Sequence, residues 1–248
     1  MLLGGLQKLT LIDYPGKIAA TVFTVGCNFD CPFCHNPELV DPQKIKKQPR
    51  IAEKYFFEFL DDRRGMLEGV CITGGEPTLQ PDLPDFISQI KNLGFLVKLD
   101  TNGTNPTMLE KLLAANLVDF VAMDIKAPLE KYKKVAGKNV SLENIQRSVE
   151  LTRRAPDYEF RTTVLPALHS RKDILSIEDV YLFHNEDSKY GFHLWIFPRY
   201  QWMEQFGRKI ESVRPIINYA KENMANEESF RQVKENVAKM RDYMKSFK

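Results

Sequence analysis

Ile18-Ala19-Ala20-Thr21-Val22-Phe23-Thr24 leads through Val25 into Gly26-Cys27-Asn28-Phe29-Asp30-Cys31-Pro32-Phe33-Cys34-His35, and this passage decides the fold. Its first half is apolar and β-branched, the composition of a buried strand. Its second half, with Gly26, Asn28, Asp30 and Pro32, is a loop. Cys27, Cys31 and Cys34 stand on it at C-x-x-x-C-x-x-C spacing, so the three thiols can curl around one centre. A structural zinc site closes with four ligands, and an ordinary four-iron cluster also takes four cysteines. No fourth cysteine lies nearby; Cys71, between Val70 and Ile72, reads as a small buried strand residue. Three ligands on a four-iron cubane leave one iron open, able to bind an amino and a carboxylate group and to pass on an electron. The other reading of the same residues is a zinc site completed by His35 or an aspartate, in which the chain is a zinc-bound interaction module.

Outward from this loop, short β-rich runs alternate with helical segments. Helical character over Arg50–Arg64 is followed by a strand at Gly69–Thr73 and a helix at Pro81–Leu93. Strand Phe95–Leu99, helix Pro106–Ala115, strand Phe120–Met123 and helix Leu142–Arg153 come next. Strand Glu159–Leu165, helix Asp173–Phe183 and strand Phe192–Phe197 complete the series. Six strands with intervening helices have the rhythm of an α/β fold with a parallel sheet and right-handed crossovers. The rhythm by itself fits an open sheet and a barrel equally. The apolar stripe Phe230, Val233, Val237, Met240, Met244 and Phe247 predicts a C-terminal helix. The expected organisation is a core over residues 1–200 and a helical extension over 201–248 packing on it.

Composition narrows the function. The 248 residues carry 35 basic and 33 acidic side chains, a net charge of +2, which gives no electrostatic case for nucleic acid as a partner. The basic run Lys44, Lys46, Lys47 and Arg50 reads as a solvated loop. No apolar stretch reaches the ~18 residues of a membrane span, and Met1–Leu6 does not read as a signal peptide. Four cysteines, three of them between positions 27 and 34, suit metal binding better than a disulfide framework. A cytoplasmic protein is expected.

Three further motifs sit at predicted strand ends, where a parallel barrel gathers its site. Thr73-Gly74-Gly75-Glu76-Pro77 ends the second strand, its glycines allowing close backbone approach and Glu76 offering a carboxylate to an ammonium group. Asp100-Thr101-Asn102-Gly103 ends the third, and Met123-Asp124-Ile125-Lys126 the fourth.

With Phe33 before the last cysteine, the three–two spacing resembles the signature of the radical S-adenosylmethionine (SAM) superfamily, and Thr73–Pro77 resembles its Gly-Gly-Glu segment. Leu9-Thr10-Leu11-Ile12-Asp13-Tyr14-Pro15-Gly16-Lys17, Gly26–Phe29 and Cys34-His35-Asn36-Pro37 resemble the glycyl-radical-enzyme activases, in particular activating proteins of anaerobic ribonucleoside-triphosphate reductase. The resemblance runs from Leu3 to about Leu165. It implies a partial (β/α)6 radical SAM barrel with C-terminal helices, and a 4Fe–4S cluster on Cys27, Cys31 and Cys34. It implies SAM contacts from Phe33, Gly74, Gly75, Glu76, Asp100, Thr101, Asp124 and Lys126, with Gly75 leaving room for the cofactor. It also implies a monovalent cation on Asp100, Thr101, Met123 and Asp124, and Asp13 beside the bound glycine loop. The histidine that the family carries on its last strand has no counterpart in Phe197-Pro198-Arg199-Tyr200. No general acid or base is implied, and His169, His184 and His193 read as surface or core residues. The implied reaction is reduction of the cluster by a flavodoxin or ferredoxin, cleavage of SAM to a 5′-deoxyadenosyl radical, and hydrogen abstraction from a glycine of a partner enzyme. A second radical SAM possibility is an enzyme of a small molecule, resembling 7-carboxy-7-deazaguanine synthase.

Overall fold

The structure, a computed structural model, describes residues 1–138, 140–164, 168–170, 172–173 and 176–177, and the backbone of 192–196. The chain divides into two compact units, Met1–Phe197 and Pro198–Lys248, and the described residues all belong to the first. The helices expected over 201–248, Phe197–Tyr200 and most of the helix expected over Asp173–Phe183 lie outside them.

Strand β1 (Leu3–Thr10) turns back into β2 (Ala19–Thr24). The chain then passes through the short α1 (Pro42–Ile45) and α2 (Glu53–Asp61) to β3 (Gly69–Gly74). Helix α3 (Leu83–Asn92) leads to β4 (Leu96–Thr101), and α4 (Pro106–Ala114) to β5 (Phe120–Asp124). Helices α5 (Tyr132–Ala136) and α6 (Leu142–Thr152) precede β6 (Tyr158–Val164), and β7 (Phe192–Ile196) is the last described strand. The sheet order is β1 to β7 in sequence order. All pairs from β2 to β7 are parallel, and β1 alone is antiparallel. No pairing among the described residues joins β7 to β1, so the barrel is partial.

The six parallel strands are the six expected. The edge strand β1 is an addition: Gly4 and Gly5 weaken the strand signal there, and a pairing with β2 that slips register twice supplies it instead.

Parallel register aligns Thr21 with Cys71, Cys71 with Lys98 and Lys98 with Phe120; two residues on, Asp100, Ala122 and Glu159 form the next row. Because side chains alternate along a strand, each strand shows two unlike faces. Ala20, Val22, Val70, Ile72, Val97, Leu99 and Val121 belong to one apolar core with Phe56, Leu60, Phe86, Ile87, Ile90, Leu109 and Leu112 of the helices. In α3 the buried Leu83, Phe86, Ile87 and Ile90 recur at helical spacing, and Phe86 stacks on Phe56 with ring centroids 5.2 Å apart. The other face is closed at its N-terminal end by Tyr14, Ala19, Phe120 and Ala122. Above that floor it is polar.

Candidate functional site

The cysteine loop is pinned over the strand ends from three sides. Gly75 N–H donates to Thr24 O at 2.9 Å, and Glu76 N–H to Gly26 O at 2.8 Å. Gln80 Nε2 donates to Val25 O at 2.8 Å. A Cβ on residue 75 would lie 2.0 Å from the Gly26 carbonyl oxygen, so only glycine fits. The close approach expected at Gly75 is therefore made by the cysteine loop's own backbone. On the far side Asp30 N–H donates to Ala136 O at 2.9 Å, and Gly137 turns away at φ +74, where a side chain would meet Asp30 O at 2.2 Å. Across the top, Asn102 Nδ2 donates to Asn28 Oδ1 at 2.9 Å, and Asn28 Nδ2 to Thr104 Oγ1 at 2.8 Å.

Phe29 and Phe33 are buried and leave the three thiols half-buried. Phe29 N–H points at Cys27 Sγ at 3.4 Å and Asn102 Nδ2 at 3.8 Å, donors that suit a thiolate; Cys34 N–H donates to Cys31 O at 3.0 Å. Burial pushes the Cys27 and Cys31 thiols up to about 11 and raises Cys34, while the Lys126 ammonium pulls all three the other way. Thiols that hold their protons this firmly become ligands when a metal cation displaces it. Among the described residues no three Cys, His, Asp or Glu side chains come close enough to hold a single ion. Donor type and the N–H groups turned toward Cys27 fit a three-thiolate cluster. Cys71 is fully buried in β3.

Glu76, expected to offer an exposed carboxylate, is buried. It accepts from Thr101 Oγ1 at 2.8 Å, Asn102 N–H at 2.6 Å, Thr78 N–H at 3.1 Å and Thr78 Oγ1 at 2.5 Å. Burial raises its pKa, and the four donors oppose that rise. Its observed work is to tie the turn after β3 to the turn after β4.

Inside the barrel, three cations and three anions interlock. Lys98 Nζ donates to Asp100 Oδ1 at 2.5 Å and lies 3.6 Å from Glu159. The Arg161 guanidinium spans Asp100 Oδ2 at 3.2 Å and Asp124 Oδ1 at 3.0 Å, with Glu159 at 3.7 Å. Lys126 Nζ donates to Asp124 Oδ2 at 2.9 Å. Arg161, ahead of the lysines, holds both aspartates below the usual carboxylate range against the opposing effect of burial. Lys98, Glu159 and Arg161 were not among the residues expected here. Their signal is charges two apart inside strand-like runs: Lys98 and Asp100, Glu159 and Arg161.

The side chains of the four residues expected to bind a monovalent cation do not all converge. Asp100 and Asp124 face this interior. Thr101 and Met123, their neighbours, point to the helix-covered face, where Thr101 bonds Glu76 and Met123 Sδ accepts from Thr152 Oγ1 at 3.6 Å. Adjacent strand residues send their side chains to opposite faces, so Thr101 and Met123 could offer an ion only their main-chain carbonyl oxygens. Both oxygens of each aspartate are also engaged by Lys98, Arg161 or Lys126. A hard cation, which gathers a set of oxygens, would share these carboxylates with Lys98, Arg161 and Lys126.

Asp13 lies before β2, at the N-terminal end of the parallel strands, whereas the cysteines follow their C-terminal end. Its Oδ2 accepts from Thr21 Oγ1 at 2.6 Å, and the three residues from Val22 to Thr24 place that contact about 10 Å below the C-terminal end of β2. His169 is a core residue, its Nε2 donating to Lys126 O at 2.8 Å. His184 and the side chain of His193 lie outside the described residues.

Residues 21–175 match the model of the radical SAM superfamily. A Methanocaldococcus jannaschii protein named as a glycyl-radical enzyme activating enzyme is 36% identical over 183 residues, 71% of this chain and 73% of that one. The pyruvate formate-lyase-activating enzyme of Clostridium pasteurianum is 35% identical over 138 residues, 54% of this chain and 56% of its own length. The crystal structure of QueE from Escherichia coli superposes with a TM-score of 0.52 at 15% identity, covering 88% of this chain and 89% of that one, a likeness of fold. A match across most of the barrel, beginning within the strand that delivers the cysteine loop, settles the family: this chain belongs to the radical SAM superfamily.

Proposed function

We propose that this chain is a glycyl-radical-enzyme activase, with Cys27, Cys31 and Cys34 holding a 4Fe–4S cluster whose open iron takes SAM. Bound cluster and SAM supply the chemistry: on reduction by a flavodoxin or ferredoxin they yield a carbon radical able to remove one hydrogen atom from a glycine Cα. The chain's own residues bind and orient. The three thiols fix the cluster over the strand ends. The charged interior, with Lys126 beside the cysteines, receives the polar end of the cofactor, and the tie made by Glu76 holds the neighbouring turns in register. Asp13 offers a carboxylate oxygen near the floor to the backbone of a partner's loop. The partner we favour is anaerobic ribonucleoside-triphosphate reductase.

The observation that carries the reading is the 36% identity to a protein named as an activating enzyme, sustained over 73% of that protein's length. The test is electron paramagnetic resonance of anaerobic mixtures. Reduced, reconstituted chain with SAM and its cognate glycyl radical enzyme should give a stable glycine radical. Turnover of a small metabolite with SAM, and no radical on any co-encoded partner, would replace the activase with a small-molecule enzyme.

A further inference from the structure

Asn102 lies in the turn after β4, where its main-chain N–H donates to the buried Glu76 at 2.6 Å, and its side chain is 6% exposed. That side chain ends at Cys27, with Nδ2 3.8 Å from Sγ. Among the described residues it is the side-chain donor that reaches a sulfur of the three-cysteine loop. The other donor at Cys27 is the Phe29 main-chain N–H, at 3.4 Å. We propose that Asn102 is a positioning residue for electron entry: by donating to Cys27 Sγ it raises the reduction potential of the cluster held by Cys27, Cys31 and Cys34.

The orientation of the amide is forced by chemistry. Asn102 Oδ1 accepts from Thr104 N–H at 3.0 Å and from Thr104 Oγ1 at 2.7 Å. A main-chain N–H can only donate, so turning the amide over would set one donor against another. The two N–H groups of Nδ2 therefore lie on the opposite side, toward Asn28 Oδ1 at 2.9 Å and Cys27 Sγ. Asn28 Nδ2 closes a ring by donating to Thr104 Oγ1 at 2.8 Å. Asn102, Asn28 and Thr104 thus bond head to tail, an arrangement in which each hydrogen bond strengthens the next. Asn144 of α6 holds the same turn, its Nδ2 donating to Thr104 O at 3.2 Å. Gly103 completes the turn at φ +75, where a Cβ would meet the Met123 side chain at 2.1 Å. The amide is held at both ends.

The consequence is electrostatic. Reduction adds negative charge to the iron–sulfur core and its thiolates. An N–H aimed at a ligand sulfur favours the more negative state, so hydrogen bonds to the sulfurs move the potential upward. The Phe29 donor belongs to the main chain and is present whatever residue stands there; Asn102 is the donor that a substitution can remove. Because Cys27 is half-buried, water is a poor substitute for it. The inference rests on the cluster that superfamily membership implies, and it is independent of the molecule from which the radical takes a hydrogen.

Anaerobic redox titration of the reconstituted chain, without SAM or partner and read by electron paramagnetic resonance, tests the proposal. In Asn102→Ala the ratio of reduced to oxidised cluster at a fixed potential should fall about three- to tenfold, a shift of about 30–60 mV to more negative potential. Asn102→Asp keeps the shape, replaces the donor with an oxygen and should shift at least as far. Asn144→Ala loosens the same turn without touching a sulfur and should keep the wild-type potential. An unchanged potential in cluster-loaded Asn102→Ala, or an equal shift in Asn144→Ala, would overturn the proposal. If neither Asn102 variant retains its cluster, the wild-type chain decides. Grown with asparagine carrying heavy nitrogen in the side-chain amide alone, its reduced cluster should show a nitrogen coupling in pulsed spectra, and absence of that coupling would overturn the proposal. Every readout is a property of the cluster, so these results stand or fall apart from the activase reading.

Discussion

The two faces of the same strands are opposite in character. On the helix-covered side, Val70, Ile72, Val97, Leu99 and Val121 are fully buried among helical apolar residues, and specificity is a matter of shape. One residue along each strand, the inner side carries Cys71, Lys98, Asp100, Asp124, Glu159 and Arg161, where Lys98 has no exposed side-chain surface. Apolar packing stabilises the fold outright. A buried ion network seldom does, because desolvation offsets most of the attraction. A polar interior in a barrel that could be filled with Val and Leu is therefore not explained by stability alone. The contrast teaches that charge in this sheet runs along one face for much of its depth, with the strand-end motifs at its rim.

The largest effect separates the rim from the interior. Alanine at Cys27, Cys31 or Cys34 should each abolish stable iron binding after anaerobic reconstitution, whereas Cys71→Ala, buried in β3, should keep its iron. Equal loss of iron in Cys71→Ala would break the distinction.

Next come two stability measurements, one on each face. Phe86→Ala empties a site stacked on Phe56 and should lower unfolding free energy by about 3–5 kcal/mol. Lys98→Met breaks a buried network from one side, with a comparable cost of about 3–5 kcal/mol. The faces differ in the double change: Lys98→Met with Asp100→Leu should recover part of that stability while losing SAM affinity. Urea unfolding and SAM titration read both. A double variant no more stable than Lys98→Met would mean that Lys98 and Asp100 are not coupled.

What could be read in the chain divides along the same line. All six parallel strands follow from β-branched runs between helical segments, because the outer face makes them apolar. The cysteine spacing and strand-end motifs were equally plain. Lys98, Glu159 and Arg161 were not, since charges two apart in a strand-like run read as an exposed face until the neighbouring strands are known to close around them. Gly75 was legible as a point of close approach but not its partner, Gly26, because that contact joins segments far apart in sequence.

The smallest effects concern pH. Asp100 and Asp124 are held below the ordinary aspartate value, so their share of stability is present above about pH 4 and is lost as pH falls through their folded values. Glu76 runs the other way: burial raises its pKa, so its ionisation costs stability as pH rises from the ordinary glutamate value to the folded one. Glu76→Gln removes that second dependence, and at neutral pH it should change stability by about 1–3 kcal/mol through its four donors. Unfolding free energy followed from pH 7 down to 3 should therefore fall more steeply in the variant than in wild type. Identical slopes would mean that Glu76 ionises as it would in water.

The central claim is that three thiolates leave one iron open for SAM, and the electron paramagnetic resonance spectrum of the reduced, reconstituted chain tests it most directly. The account predicts a reduced four-iron cluster whose signal is reshaped by an equivalent of SAM, because the cofactor joins the iron that no cysteine holds. A protein that carries zinc without sulfide, or a cluster signal that SAM leaves unchanged, would contradict it.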